Sequence, residues 1–583
     1  MAHCTLLTKL KYFFGIIIFL FILCLINVKS AANAQTQVPI YDAFEETVIN
    51  TRIYVNRFDF SEIELRGTFT SPSGKTYNHI GYHAGNGYGG QLGEIWKIRF
   101  MPTETGTWNY TLSWSDGNPG NSGTFIATDN NKPGRLLPSD TRRWKMENGS
   151  YDMPIMIPTR QWFKRMPTNH GIDNFIRWAG QTVRANIIGT TLVYFNHAQD
   201  EMPYIIGEEG AEFNVSMWDR LNSHYDFMAD RAIGIYIMFY SDDAENPSNY
   251  GITACSKEEI NLFKYAIARY AAYPTVVWDT GIDIAETRGG QSCESYDWVE
   301  WFTRFFGQND PWQHPVSNRS GGGSGSYNPP SATYYSDGAD TLPPHSTVVN
   351  NWQSRQLPTI YTDRWRENYG RGNFDPDKIR RAIWEVGLVG GTGVYVSGNN
   401  NDGYLDENYY SDFIAAPWVG HAALFFRNAV RNFGGLSPHN ELITSGNSLL
   451  LSAIPGEEYV AYLAEGGSVS INIASGTYTS FWYDPRNGSF SEDKVFEGGA
   501  NISFTPPGSG DWALHITNTP ITPTPIPHNP ADANSDWHVD GSDYIIWHNF
   551  FDQSRSGREF GDFNKDDHVD ILDYFIWIFN YPL

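Results

Sequence analysis

Hydrophobic residues fall at alternate positions in "TWNYTLSWSD", where Trp108, Tyr110, Leu112 and Trp114 are separated by polar residues. A period of two turns one face of a pleated strand to a core and the other to water. Turn clusters such as "SPSGK" and "SDGNPGNSG" bracket similar runs between residues 36 and 130. That segment reads as a small β-sandwich. From about residue 150 the pattern changes to short apolar blocks, "MPIMIP", "RANIIGTTLVYF", "IGIYIMFY", "TVVWDTG", "HPVSN", "ATYYSD", "LPTIYTD" and "TGVYVSG". Helical patterns stand between them. In "SMWDRLNSHYDFMADRA", Trp218, Leu221, Tyr225 and Met228 share one helix face. Ser256 with Glu259 three residues later forms a capping box that opens "KEEINLFKYAIARYAAYP". Eight strands alternating with helices over residues 145–440 predict a (β/α)8 barrel. Period-two alternation returns at 445–516, a second sandwich, and a Pro/Thr-rich linker follows at 517–530.

The last segment, 531–583, repeats itself with a spacing of 30 residues, "DANSDWHVDGSD" and then "DFNKDDHVDILD". Oxygen-bearing side chains recur at positions one, three, five, nine and twelve: Asp532, Asn534, Asp536, Asp540 and Asp543, then Asp562, Asn564, Asp566, Asp570 and Asp573. His538 and His568 stand at position seven, where a backbone carbonyl completes the set. Such a set suits a hard cation, Ca2+. Position six holds Trp537 and Asp567, where an EF-hand has glycine for its sharp turn. The bland alternative is a solvated acidic tail, since 531–583 carries 11 acids and 3 bases. A solvated tail, however, neither repeats ligand positions nor carries so much Ile, Phe and Trp. Two calcium loops, each followed by one helix, resemble a type I dockerin. The resemblance implies a small all-α domain with two structural Ca2+ ions and a cohesin partner on a scaffold or cell surface.

The N-terminus has Lys9 and Lys11 before an apolar run, then Ala32-Asn33-Ala34. This reads as a signal peptide over 1–34, with a membrane anchor as the alternative, and predicts a secreted, extracellular protein. Cys255 and Cys293 are the cysteines beyond it. They stand in the loops after strands three and four, adjacent on one barrel face, and an oxidising compartment predicts that they pair. Two buried free thiols are the alternative. Acids outnumber bases 65 to 41, which argues against nucleic acid and anionic membranes as partners. Aromatics make up 15% of the chain, and flat faces with polar handles suit sugar rings.

Barrel enzymes build their sites at the carboxyl ends of the strands. After strand four come Asp279, Asp283 and Glu286; after strand seven come Asp363, Trp365 and Glu367. The ends of strands one to three add Arg160, Trp162, Asn196, His197, Asp242 and Asp243. Two carboxylates across a sugar-sized cleft are what glycoside hydrolysis requires. Asp279 lies within its strand and reads equally as a buried structural carboxylate. "TVVWDTGID", "LPTIYTDRWRE" and "IRRAIWEVGLVGGTGVYV" resemble the strand-four, strand-seven and strand-eight regions of apiosidase-like glycoside hydrolases. Residues 36–130 resemble the sandwich that often precedes such barrels, and 445–516 the collagen-binding-like sandwich that often follows. The resemblance implies Asp283 and Asp363 as the catalytic pair, with Glu286 and Glu367 as alternatives. Their places at the strand ends make Arg160, Trp162, Asn196, His197, Asp242 and Trp365 candidate substrate-binding residues, and no cofactor is expected for catalysis. This chain departs from that family at strand seven, where Asp363 replaces the usual Glu and is shorter by about 1.5 Å. The reading is a secreted glycoside hydrolase acting on a plant or algal polysaccharide. Two other readings are a non-catalytic carbohydrate-binding or adhesive protein with a degenerate barrel and, more weakly, an acid-base polysaccharide lyase.

Overall fold

The computed structural model describes residues 35–130, 132–158, 162–192, 212–240, 248, 251–281, 284, 288–318, 328–338, 342, 345–366, 375–390, 394–397, 413–446, 450–518, 531–533, 539, 541–564 and 566–581. Its centre is an eight-stranded parallel sheet: β1 (Ile155–Pro158), β2 (Ile187–Thr191), β3 (Gly234–Tyr240), β4 (Val276–Gly281), β5 (Val316–Ser317), β6 (Tyr335–Gly338), β7 (Thr359–Arg366) and β8 (Val394–Ser397). The hydrogen-bonded order is β5-β4-β3-β2-β1-β8-β7-β6. The two end strands meet where Thr333 N donates to Val316 O at 2.9 Å and Ser317 Oγ to Tyr334 O at 2.9 Å, which closes the ring. All eight expected strands are present. Their apolar blocks follow from burial on both faces: every residue of β3 and of β4 is buried.

Helices surround the ring: α1 (Asn169–Gln181), α2 (Val215–Ala229), α3 (Lys257–Tyr270), α4 (Trp298–Asn309), α5 (His345–Ser354), α6 (Pro376–Val389) and α7 (Ala416–Leu424). Among the described residues no helix separates β5 from β6. Side chains of Thr168, Asn214, Ser256, Asp297 and Asp375 cap α1, α2, α3, α4 and α6, satisfying amides the first turn leaves free. α6 also has Pro376 at its first position and ends on Gly390 at φ 95°, where a Cβ would be strained. The expected face of α2, with Trp218, Leu221, Tyr225 and Met228, is buried.

The N-terminal sandwich pairs a five-stranded sheet with a three-stranded one, built from strands between Gln37 and Thr128. Trp108, Tyr110, Leu112 and Trp114 are buried at alternate positions, as their spacing predicts. The sandwich docks on α2 and α3: Arg99 pairs with Asp226 of α2 at 3.3 Å, and Lys264 and Lys257 of α3 pair with Glu64 at 2.9 Å and Asp59 at 2.8 Å. The second sandwich begins at Ser437–Pro438 and packs on α6. There Arg380 grips Asp511 with two hydrogen bonds, of 2.9 and 2.8 Å, and Trp384 stacks on Tyr462 at 5.4 Å. The tail has two helices, α8 (Gly541–Phe550) and α9 (Ile571–Asn580), packed through Tyr544, Trp547, Tyr574 and Trp577. No described helix is long and apolar enough to cross a membrane.

One element straddles the expected start of the barrel at residue 145. Leu136–Pro138, Trp144–Met146 and Tyr151–Asp152 form a three-stranded antiparallel sheet just before β1. Leu136 and Trp144 enter the same buried cluster as Met156, Ile187, Tyr236, Val277 and Ile360 of the barrel strands. The little sheet therefore plugs the barrel at its N-terminal end. Behind it Arg143, fully buried, donates to the carbonyls of Gly387, Leu388 and Leu436.

Candidate active site

The barrel interior changes character along its axis. Toward the plug it is filled by Met156, Ile187, Val277 and Ile360. Toward the carboxyl ends of the strands it becomes polar, with Thr191, Asp279, Ser317, Ser336 and Thr362 all buried. Strand alternation places Asp279 two residues beyond inward-facing Val277, hence inside the ring. Its Oδ2 accepts from Tyr236 OH at 2.8 Å and Tyr334 OH at 3.2 Å, and its Oδ1 from Gly281 N at 2.9 Å. Burial, reinforced by the Asp279 charge, pushes the Tyr334 hydroxyl well above its ordinary pKa. That tyrosine stays protonated and donates. Asp279 is thus a buried, hydrogen-bonded carboxylate, as its place within the strand allowed. Sequence reading missed Tyr236 and Tyr334. Their inward phase was the available signal, but they are far apart in the chain and only barrel closure brings both to one carboxylate.

Of the sequence-predicted site residues, Arg160, Asn196, His197, Asp242, Asp283, Glu286 and Glu367 lie outside the described residues. Asp363 and Trp365 belong to β7. Opposite β8, Tyr361 pairs with Val394 but Trp365 pairs with Val396, so β7 spends four residues where β8 spends two. Asp363 falls within this irregularity. Bulges gather at barrel rims and beside sites, where they re-aim the chain. Trp162 corrects its expected role: its ring is 1% exposed and packs on His224 and Tyr225 of α2 at 6.3 and 6.2 Å. It forms part of the wall and offers no open face to a sugar.

Cys255 and Cys293 form the expected disulfide, with Cα atoms 5.7 Å apart. The bond joins the approach to α3 with the hairpin before α4, on the face where the strands end. The capping box at α3 is only half as expected. Ser256 Oγ accepts from Glu259 N at 3.2 Å, but Glu259 turns its carboxylate to Cys255 N at 2.7 Å and to Arg288.

In the acidic tail, Asp532, Asp543, Asp562 and Asp573 are fully buried. Asn534, Asp536, His538 and Asp540 lie outside the described residues. In the second loop Asp573 accepts from the amides of Phe563, Asn564 and Asp570 at 2.7–2.9 Å. Asn564 and Asp566 accept from the amides of Asp566 and His568 at 2.9 and 3.0 Å. Burial, with the Asp562 charge adding to it, raises the Asp573 pKa against the pull of those amides. Asp567 adopts φ 67°, so the sharp turn at position six is made without glycine. Among the described residues no group of three or more His, Cys, Asp or Glu stands close enough together to hold a metal. The oxygen types and the buried like charges fit a hard cation.

Residues 37–115 match the family described as "Domain of unknown function (DUF5060)", and 438–517 match "Putative collagen-binding domain of a collagenase". A search of curated proteins returns no match. Among solved structures, a "putative glycoside hydrolase" from Bacteroides vulgatus ATCC 8482 is similar with a TM-score of 0.65 at 18% identity, over 83% of this chain and 100% of that one. A glycoside hydrolase family 5 structure from the same organism is similar with a TM-score of 0.52 at 13% identity, over 68% of this chain and 96% of that one. At such identities the likeness is one of fold.

Proposed function

We propose that this protein is a glycoside hydrolase that cleaves a plant or algal polysaccharide with a carboxylate pair at the barrel mouth. The observation that carries the reading is the register of the barrel. β4 ends at Gly281, so Asp283 follows it by two residues, and Asp363 lies in the irregular carboxyl-terminal half of β7. In this reading acids at the carboxyl ends of strands four and seven face one cleft from opposite sides. In this reading Asp283 protonates the leaving oxygen, and Asp363 attacks the anomeric carbon or activates water. Asp279 is already engaged by two tyrosines, which leaves the chemistry to Asp283 and Asp363. The fold likeness and the plugged, polar-topped barrel support the assignment.

Within this proposal the chain resembles apiosidase-like enzymes, is secreted, and is anchored through a calcium-dependent dockerin to a cohesin. Asp532, Asn534, Asp536, the His538 carbonyl, Asp540 and Asp543 would hold one Ca2+. Asp562, Asn564, Asp566, the His568 carbonyl, Asp570 and Asp573 would hold the other. The ions would neutralise carboxylates that otherwise repel and so order the tail. The test is to incubate the purified protein with plant and algal polysaccharides and follow new reducing ends. Release from one of them, abolished by Asp283→Asn, supports the reading. Binding without release would point instead to a carbohydrate-binding protein.

A further inference from the structure

From the end of β4 the chain is held at Gly281, Ile284 and Arg288. Gly281, at φ 119°, lies so close to β3 that a Cβ would come within 1.9 Å of the Tyr240 carbonyl. Ile284 is buried. Arg288 is completely buried, and its Nε and Nη2 donate to Glu259 Oε1 at 3.2 and 3.1 Å. Nη2 also donates to the Ile252 carbonyl at 2.9 Å. The guanidinium sits 5.0 Å from the Tyr240 ring and 5.6 Å from the Trp298 ring. Glu259 accepts in addition from Tyr240 OH at 2.8 Å and Trp298 Nε1 at 3.0 Å. One carboxylate therefore joins the end of β3, the start of α3, the segment after β4 and the start of α4.

We propose that Glu259 and Arg288 are positioning residues, a buried latch that ties the ends of β3 and β4 to the starts of α3 and α4 on the face where the strands end. A fully buried ion pair is a poor source of stability, because desolvation offsets much of its attraction and an apolar filling often does as well. What it supplies is direction. Donors from the ends of four elements converge on one carboxylate, so a shift of any of them removes a hydrogen bond from a buried charge. A reacting group displaced by about 1 Å can lose about 100-fold in rate. The catalytic consequence rests on the glycoside hydrolase reading; the mechanical one does not.

The test uses full-length Arg288→Lys, Tyr240→Phe and Glu259→Gln proteins, followed by hydrogen exchange and by kinetics on the polysaccharide that the wild type cleaves. Exchange of peptides from 281–297 should quicken about tenfold or more in the folded variants, while peptides of β1, β2 and β8 keep their protection. Glu259→Gln should lower kcat about 100-fold with KM within about threefold. If Glu259→Gln does not fold, Arg288→Lys and Tyr240→Phe decide. Unchanged exchange at 281–297 would overturn the latch, as would an increase spread evenly over the barrel. If the wild type cleaves no polysaccharide, the glycoside hydrolase reading fails by itself, and exchange alone judges the latch.

Discussion

The two ends of the barrel interior are built from different chemistry. At the N-terminal end Leu136 and Trp144 close the ring over Met156, Ile187 and Val277. At the C-terminal end Asp279, Ser317, Ser336 and Thr362 are buried, and Asp279 holds two tyrosine hydroxyls. Burying apolar side chains stabilises the fold without demanding orientation. Burying polar ones stabilises only when each finds a partner, so it fixes geometry. The lower end should therefore be tunable in stability with little effect on chemistry, and the upper end the reverse.

The largest expected effect tests the upper end. Asp283→Asn and Asp363→Asn should each lower turnover by about 1,000-fold or more, measured as reducing ends, with unfolding midpoints unchanged. If Asp363→Asn stays fully active while Glu367→Gln does not, the strand-seven role moves to Glu367. At the lower end, Trp144→Ala should cost about 3–5 kcal/mol in denaturant unfolding and leave the kcat of the folded protein as it was. A fall in kcat there would erase the contrast between the two ends.

Acid should act outside the upper end. Burial depresses the pKa values of His79 and His83 to about 4. Both lie on the N-terminal sandwich, His79 against Trp312 just before β5 and His83 with its carbonyl bound by Tyr265 of α3. The unfolded histidines bind protons below about pH 6.5, so the stability from keeping them neutral is complete above that pH. It is lost as pH falls from 6.5 toward 4. Urea unfolding should show a loss of roughly 3 kcal/mol for His79 across that window, absent in His79→Phe. Asp279→Asn is expected to cost less, about 1–3 kcal/mol, because either the two tyrosine hydroxyls on Oδ2 or the Gly281 amide on Oδ1 then face an NH2 group that donates rather than accepts. The smallest effect on the barrel should come from calcium. Chelation should hasten proteolysis within 531–583 and leave barrel fragments as they were; equal cleavage with and without chelator would remove the calcium reading.

Local pattern alone determined much of this protein. Period-two runs such as Trp108–Trp114 specify strands, the face of α2 specifies a helix, and eight apolar blocks specify a barrel, because each signal depends only on which neighbours in the chain share a face. The Cys255–Cys293 bond was legible for a related reason, since adjacent barrel loops must lie close. Long-range closure decided the rest. Nothing local marks "LLPSDTRRWKM" as a plug, because its partners come from strands as far along the chain as Ile360. Trp162 reads as a sugar platform until α2 covers it. Glu259 reads as one half of a capping box until the segment after β4 brings Arg288 to it, and a buried charge goes to the strongest donor the fold delivers rather than to the nearest amide in sequence.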